Sequence, residues 1–225
     1  MEVNGYKIEP GSNLQGANLR NTELTGADLR EANLNDADLQ GANLQGANIN
    51  RTNLQGANLT RANFYGAPVT TSVYEANLEG ANLNDTTLNG ARFNGANLSK
   101  TEISGHCNGV DFYAANLTEA NISSELIYTN FTRANLTRAN LQGAHIRESI
   151  FNEANLTGAN LTKRDLSYTE LRGADLTGAN LTGVNLTRTN LQGANLKEAN
   201  LRGAVWDEST VWPKGFTPPE KPSDL

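Results

Sequence analysis

Residues 13–42 read NLQGA NLRNT ELTGA DLREA NLNDA DLQGA, with Leu14, Leu19, Leu24, Leu29, Leu34 and Leu39 at every fifth position. A five-residue step along an α-helix turns about 500°, so successive leucines drift roughly 140° around the axis and form no apolar stripe. The spacing therefore excludes a helix. Such centres run from Leu14 to Val211, 41 in all, and every one is apolar: mostly Leu, with Ile, Phe, Val, Cys107 and Trp206. Two residues before each centre stands a small residue, usually Ala or Thr, with Asn or Asp between them. Extended chain alternates sides, so the small residue and the centre face inward while Asn faces out. The remaining two residues must turn a corner. The second of them is often glycine, as at Gly16, Gly41, Gly56, Gly143 and Gly193, which suits the positive φ of a type II turn.

The unit A-N-L-x-G, repeated over most of the 225 residues, resembles the pentapeptide-repeat family in the Asn/Leu-rich form common in cyanobacteria. The resemblance implies an all-β fold, a right-handed quadrilateral parallel β-helix (a β-solenoid) with four repeats per coil. It implies little about activity, because one fold hosts unrelated roles.

The frame slips three times, at Val69 to Val73, Ile103 to Cys107 and Ile122 to Leu126, each by a four-residue step. Either a corner is shortened or four residues are inserted between neighbouring sides. Phe93, Phe112, Phe131 and Phe151 are 19, 19 and 20 residues apart. With shortened corners each lies four centres from the last, and the rings stack in one column; insertions would scatter them. We take shortened corners. The shaft then has about ten coils and, at the ~4.8 Å strand spacing, runs about 48 Å.

Exposed coil edges need covers. At the N-terminus, Val3, the Asn4-Gly5 turn, Tyr6 and Ile8 suggest a hairpin-like lid. Val205, Trp206, Val211, Trp212, Pro213 and Phe216 supply bulky cover at the other end. The expected organisation is a cap over residues 1–12, the β-helix over 13–204, a second cap over 205–216 and a loose tail over 217–225.

With 24 acids against 18 bases, net -6, and no basic run, the chain does not look like a nucleic-acid binder. No stretch approaches the roughly 18 apolar residues of a membrane helix, and the N-terminus lacks a signal pattern. A cytoplasmic, soluble protein is expected, a monomer or weak dimer. The single cysteine, Cys107, excludes an internal disulfide.

Cys107 beside His106 invites a nucleophile-and-base reading. Adjacent residues on an extended side point in opposite directions, however, and Cys107 is a centre, so a buried, inert thiol is expected. No enzyme activity, cofactor or metal is expected. The corner glycines lack the strand-to-helix context of a phosphate loop. Outward Tyr65, Tyr74 and Tyr113 read as isolated surface aromatics.

In columns four centres apart, the outward positions of one side read His106, Glu125, His145 and Asp165. Both histidines of the chain fall there. Asn108, Ile127, Tyr128, Arg147 and Tyr168 flank the column, and two shortened corners lie at its edge. Arg164 occupies an inward small-residue slot, where its stem could snorkel outward and its head pair with an acid. We take His106, Glu125, Ile127, Tyr128, His145, Arg147, Asp165 and Tyr168 as a candidate protein-binding patch, since Tyr, Ile and Arg together are usual anchors of recognition. A metal site is not expected, because the two histidines stand two coils apart, about twice the ~4.8 Å spacing.

The function expected is a non-catalytic rigid scaffold that binds an unidentified protein partner through its outer surface. Two alternatives stand beside it: a structural rod with no single partner, and, by the resemblance, a DNA-mimic regulator of a topoisomerase. Mimicry needs negative charge at phosphate-like density. Residues 1–125 carry 14 acids and 7 bases while 126–225 carry 10 and 11, so only the first half could serve.

Overall fold

The structure, a computed structural model, describes residues 1–69 and 73–220. It is a β-solenoid without helices among these residues. Each side contributes only a short extended piece, so most of the pairing is by single parallel bridges from one coil to the next. One ladder runs Asn18, Asp38, Asn58, Asn77, Asn97, Asn116, Asn135, Asn155, Asp175 and Asn195. The repeat unit explains the bonding. Leu14 N donates to Asn33 O at 2.7 Å, Asn33 N donates to Ser12 O at 2.9 Å, and Ala17 N closes the corner on Leu14 O at 3.0 Å.

The outward asparagine does more than face solvent. Asn140 Oδ1 accepts from the N–H of Gln142 two residues on, at 3.2 Å, and Asn140 Nδ2 donates to Asn121 Oδ1 one coil earlier, at 3.0 Å. It thus caps its own corner and joins a side-chain ladder along the shaft, which is why short Asn and Asp suit this slot. Inside, alanines and centres are almost wholly excluded from water. Threonine in the alanine slot keeps its hydroxyl satisfied, as when Thr52 Oγ1 donates to Leu29 O at 2.7 Å.

Coil length settles the frame slips. Pairing is 20 residues apart from Asn13 to Asn33 to Asn53, 19 from Asn58 to Asn77 and from Asn97 to Asn116 to Asn135, and 20 again from Asn135 to Asn155. Each slip shortens one coil by one residue. Part of the first lies outside the described residues. At the other two, the corner is replaced by continuous strand. The regular strands of the shaft are β3 (Asn82–Thr87), β4 (Glu102–His106) and β5 (Asn121–Glu125), paired in parallel in that order; β1 (Glu2–Val3) and β2 (Tyr6–Lys7) form an antiparallel N-terminal hairpin. β3 still carries a full corner opposite the shortened β4, so its register shifts between Leu83 and Thr86, a bulge. The four phenylalanines stack in one column, with centroids 5.3, 5.1 and 4.6 Å apart and ring planes within 19°.

Three expectations need correction. Gly143 does not have positive φ, and many corners place Glu, Arg, Asp or Tyr in that conformation, so the corner does not depend on glycine. Val211 is not a buried centre: it is 47% exposed and pairs with Asn190, 21 residues back, because the Asp207–Thr210 corner holds one extra residue. Trp212 takes the inward place. The C-terminal cover is accordingly Trp206 edge-on to Trp212, with Phe216 stacked on Trp212 at 5.3 Å, whereas Val205 and Val211 face outward.

Candidate interaction face

β4 and β5 place His106 and Glu125 side by side, and Glu125 bridges in turn to His145 on the next coil. His106 Nδ1 lies 3.6 Å from Glu125 Oε2, and Asn108 Nδ2 donates to that same oxygen at 3.4 Å. Asp165 stands one coil beyond His145 and bridges forward to Asn185; its Oδ1 caps Ser167 N at 2.9 Å and accepts from Asn185 Nδ2 at 3.0 Å. All four side chains point outward over the buried centres Cys107, Leu126, Ile146 and Leu166.

No bridge joins His145 to Asp165. Only one other gap occurs along the four columns among the described residues, between Asn48 and Pro68, and Pro68 has no N–H to offer. The gap at His145 has a different cause. Arg164 fills a slot that elsewhere holds alanine, serine, threonine, valine or glycine, and its side chain is too large for the shaft. Its Nη1 donates to Ala144 O at 3.2 Å, taking the acceptor that the next main-chain N–H would use, while its Nε donates to Thr162 O at 3.2 Å. The expected pairing with an acid is not formed: Arg164 makes no ion pair among the described residues. It is a wedge between coils.

The flanking residues are tied together along one corner column. Tyr128 and Tyr168 both sit at corner positions with positive φ and project into solvent, Tyr128 being 68% exposed. The Glu148 carboxylate beside the Tyr128 hydroxyl raises its pKa. Tyr168 meets two guanidinium groups, Arg147 at 5.2 Å and Arg188 at 5.1 Å from its ring, and its hydroxyl accepts from Arg188 Nη1 at 2.9 Å. Ile127 is half-buried beneath them. The hydroxyl contact alone recurs elsewhere: Tyr74 accepts from Arg92 at 3.3 Å and Tyr113 from Arg133 at 3.0 Å. These two tyrosines are therefore not isolated, because each reaches an arginine on the following coil.

Cys107 is fully buried while His106 is exposed, so the two do not form a catalytic pair. Burial pushes the Cys107 thiol up to about 11, with a hydrogen bond to Ser124 acting weakly in the opposite sense. In native protein at neutral pH, Cys107 should react with Ellman's reagent at least about a hundredfold more slowly than in the denatured chain. Equal rates in the two states would place the thiol at the surface. Among the described residues no three of His, Cys, Asp and Glu come together as metal ligands, and no helix is long and apolar enough to cross a membrane.

Among solved structures, HetL from Nostoc sp. strain PCC 7120, a pentapeptide repeat protein involved in heterocyst differentiation regulation, is 32% identical, with 87% of each chain covered and a TM-score of 0.48. The pentapeptide repeat protein alr5209, also from Nostoc PCC 7120, is 43% identical over 39% of this chain and 77% of its own, with a TM-score of 0.29. QnrB1, a plasmid-mediated fluoroquinolone resistance protein, is 15% identical over 89% of this chain and 92% of its own, with a TM-score of 0.41. No curated protein matches the sequence. The family described as Pentapeptide repeats matches in 8 copies over residues 12–72, 76–107 and 115–203. With the parallel ladder at 19 or 20 residues and the buried centres, that coverage establishes that the chain belongs to the pentapeptide-repeat family.

Proposed function

We propose that the chain is a non-catalytic, rigid scaffold that binds another protein through the face built on His106, Glu125, His145 and Asp165 and flanked by Ile127, Tyr128, Arg147 and Tyr168. In this reading the scaffold is a right-handed, four-sided shaft of about ten coils, which holds the face at fixed spacing. The observation that carries it is the tethering of Arg147 and Arg188 to the exposed Tyr168 ring beside an interrupted ladder. Tyrosine and arginine held in place lose little entropy on docking, which is why such residues dominate recognition surfaces. The DNA-mimic alternative has less support, because carboxylates of the acidic half are engaged by bases, as in Arg20–Asp38 at 3.0 Å, Arg30–Asp28 at 2.6 Å and Lys100–Glu79 at 3.0 Å.

Affinity capture from the source cell tests the reading, with wild-type and Tyr128→Ala/Arg147→Ala protein as parallel baits. A partner held by wild type should be recovered at least about tenfold less by the double variant, while the melting temperature moves by only a few degrees. Neither side chain lies in the core. Equal recovery of every captured protein by both baits would overturn it.

A further inference from the structure

The gap between His145 and Asp165 is a cleft of about 370 Å³, lined by Ile127, Ile146, Arg147, Lys163, Arg164 and Asp165 among others. That volume is at the small end of ligand pockets, enough for one or two amino-acid side chains. Its charge is unbalanced. Lys163 and Arg164 are in no ion pair among the described residues, and the one acid that Arg147 pairs with there is Glu148, at 3.6 Å. Arg164 has two of its nitrogens on carbonyls, Nε on Thr162 and Nη1 on Ala144, and Nη2 makes no hydrogen bond among the described residues. The two carbonyl contacts hold the guanidinium in the lining of the cleft and leave Nη2 without a protein acceptor among the described residues. A fixed guanidinium with free donors is suited to a carboxylate, which it meets with two parallel hydrogen bonds.

We propose that this cleft recognises a carboxylate side chain on an acidic, extended segment of the partner protein. The inference rests on the docking face described above and names the chemistry that face selects. Arg164 would supply the fork, Lys163 a second positive charge, and half-buried Ile127 an apolar wall for the methylenes of an aspartate or glutamate. A nucleic acid fits poorly. The chain carries a net charge of -6 and no basic run, so a track of phosphates would be repelled where a single inserted carboxylate is not. The wedge also gives up a ladder bridge that, Pro68 apart, the described coils keep, as expected where local order is sacrificed at a binding site.

The test uses the full chain, a hexaglutamate peptide as probe, and hexaglutamine and an oligothymidylate as comparators. In amide-resolved NMR titrations, hexaglutamate should give saturable shifts centred on residues 144–147 and 163–165, while hexaglutamine should not. Arg164→Ala restores the alanine of the repeat. It should fold, keep or raise the melting temperature, gain protection of the Asp165 amide as the bridge closes, and bind hexaglutamate at least about tenfold more weakly. Arg51→Ala, on a distant coil, should bind like wild type. Wild-type affinity in Arg164→Ala, shifts elsewhere on the shaft, or tighter binding of oligothymidylate would each overturn the proposal. If hexaglutamate fails while Tyr128→Ala/Arg147→Ala still loses its partner, carboxylate recognition falls and the docking face stands. If hexaglutamate binds through Arg164 while both baits recover the same proteins, the docking face falls instead.

Discussion

Replacing Phe131 by alanine is expected to lower stability by about 3–5 kcal/mol, the range for removing a buried ring whose surroundings relax only in part. Phe131 is fully buried and stacked on both sides, with Phe112 at 5.1 Å and Phe151 at 4.6 Å. Its removal opens a ring-sized gap that neither neighbour can close without shifting its own coil, and each coil is pinned by main-chain bonds such as Phe112 N to Asn130 O at 2.8 Å and Phe131 N to Ile150 O at 2.7 Å. Asn140→Ala provides the comparison. Asn140 is solvent-exposed and loses only its corner cap and ladder contacts, so a loss of about 1 kcal/mol is expected. Urea midpoints of the two variants measure the difference; equal losses would mean that the inward and outward registers are misassigned.

The phenylalanine column was legible in the sequence because, of the two readings of the frame slips, only shortened corners stack rings spaced 19, 19 and 20 residues apart. A five-residue period fixes which side chains share the interior, and nearly all the centres lie there. What the period hides is what happens between coils. The outward asparagines were legible as outward, but their donation to the preceding coil depends on a neighbour about twenty residues away. Arg164 was legible as an anomaly. Which carbonyls it would capture was not, since that depends on how far two coils part. The Val211 error has another source: both Val211 and Trp212 are apolar, so one extra residue in the preceding corner leaves the pattern looking intact.

The candidate face was legible to a similar degree. Writing the outward positions in columns brought His106, Glu125 and His145 together, because the shortened segments keep their place in the coil, and β4 and β5 show how. The cleft was not legible, since it arises from a missing bridge. Nor was the role of two glycines at the places where coil length changes. Gly105 lies in shortened β4 against the full corner of β3, and Gly143 lies in a full-length coil against shortened β5. A Cβ on Gly143 would stand 2.6 Å from the Ser123 Cβ, so this glycine serves close approach and not turn conformation.

Gly105 yields the second large effect. It has φ +99, and an added Cβ would stand 2.4 Å from the main-chain oxygen of Thr86 and 3.1 Å from its nitrogen. Those atoms belong to the bulge of β3, where Ser104 Oγ accepts from Asp85 N at 3.0 Å, so they cannot withdraw as a flexible side chain could. Gly105→Ala must force the two coils apart or drive the residue to a different φ, and either change disturbs the adjoining bond from Leu88 N to His106 O at 2.7 Å. Left-handed backbone costs an L-residue roughly 1–2 kcal/mol and overpacking a tight contact about 1–3 kcal/mol, so a total loss of about 2–5 kcal/mol is expected. Gly46→Ala separates the two contributions. Gly46 also has positive φ, +62, but a Cβ there meets nothing within 4 Å. Corners with that backbone already accept Glu31 and Arg51, so its loss should be about 1 kcal/mol. The same urea midpoints, read by far-ultraviolet circular dichroism, distinguish the two. Equal small losses would show that β3 and β4 can part at no cost, and that Gly105 is not what lets a 19-residue coil seat on its neighbour.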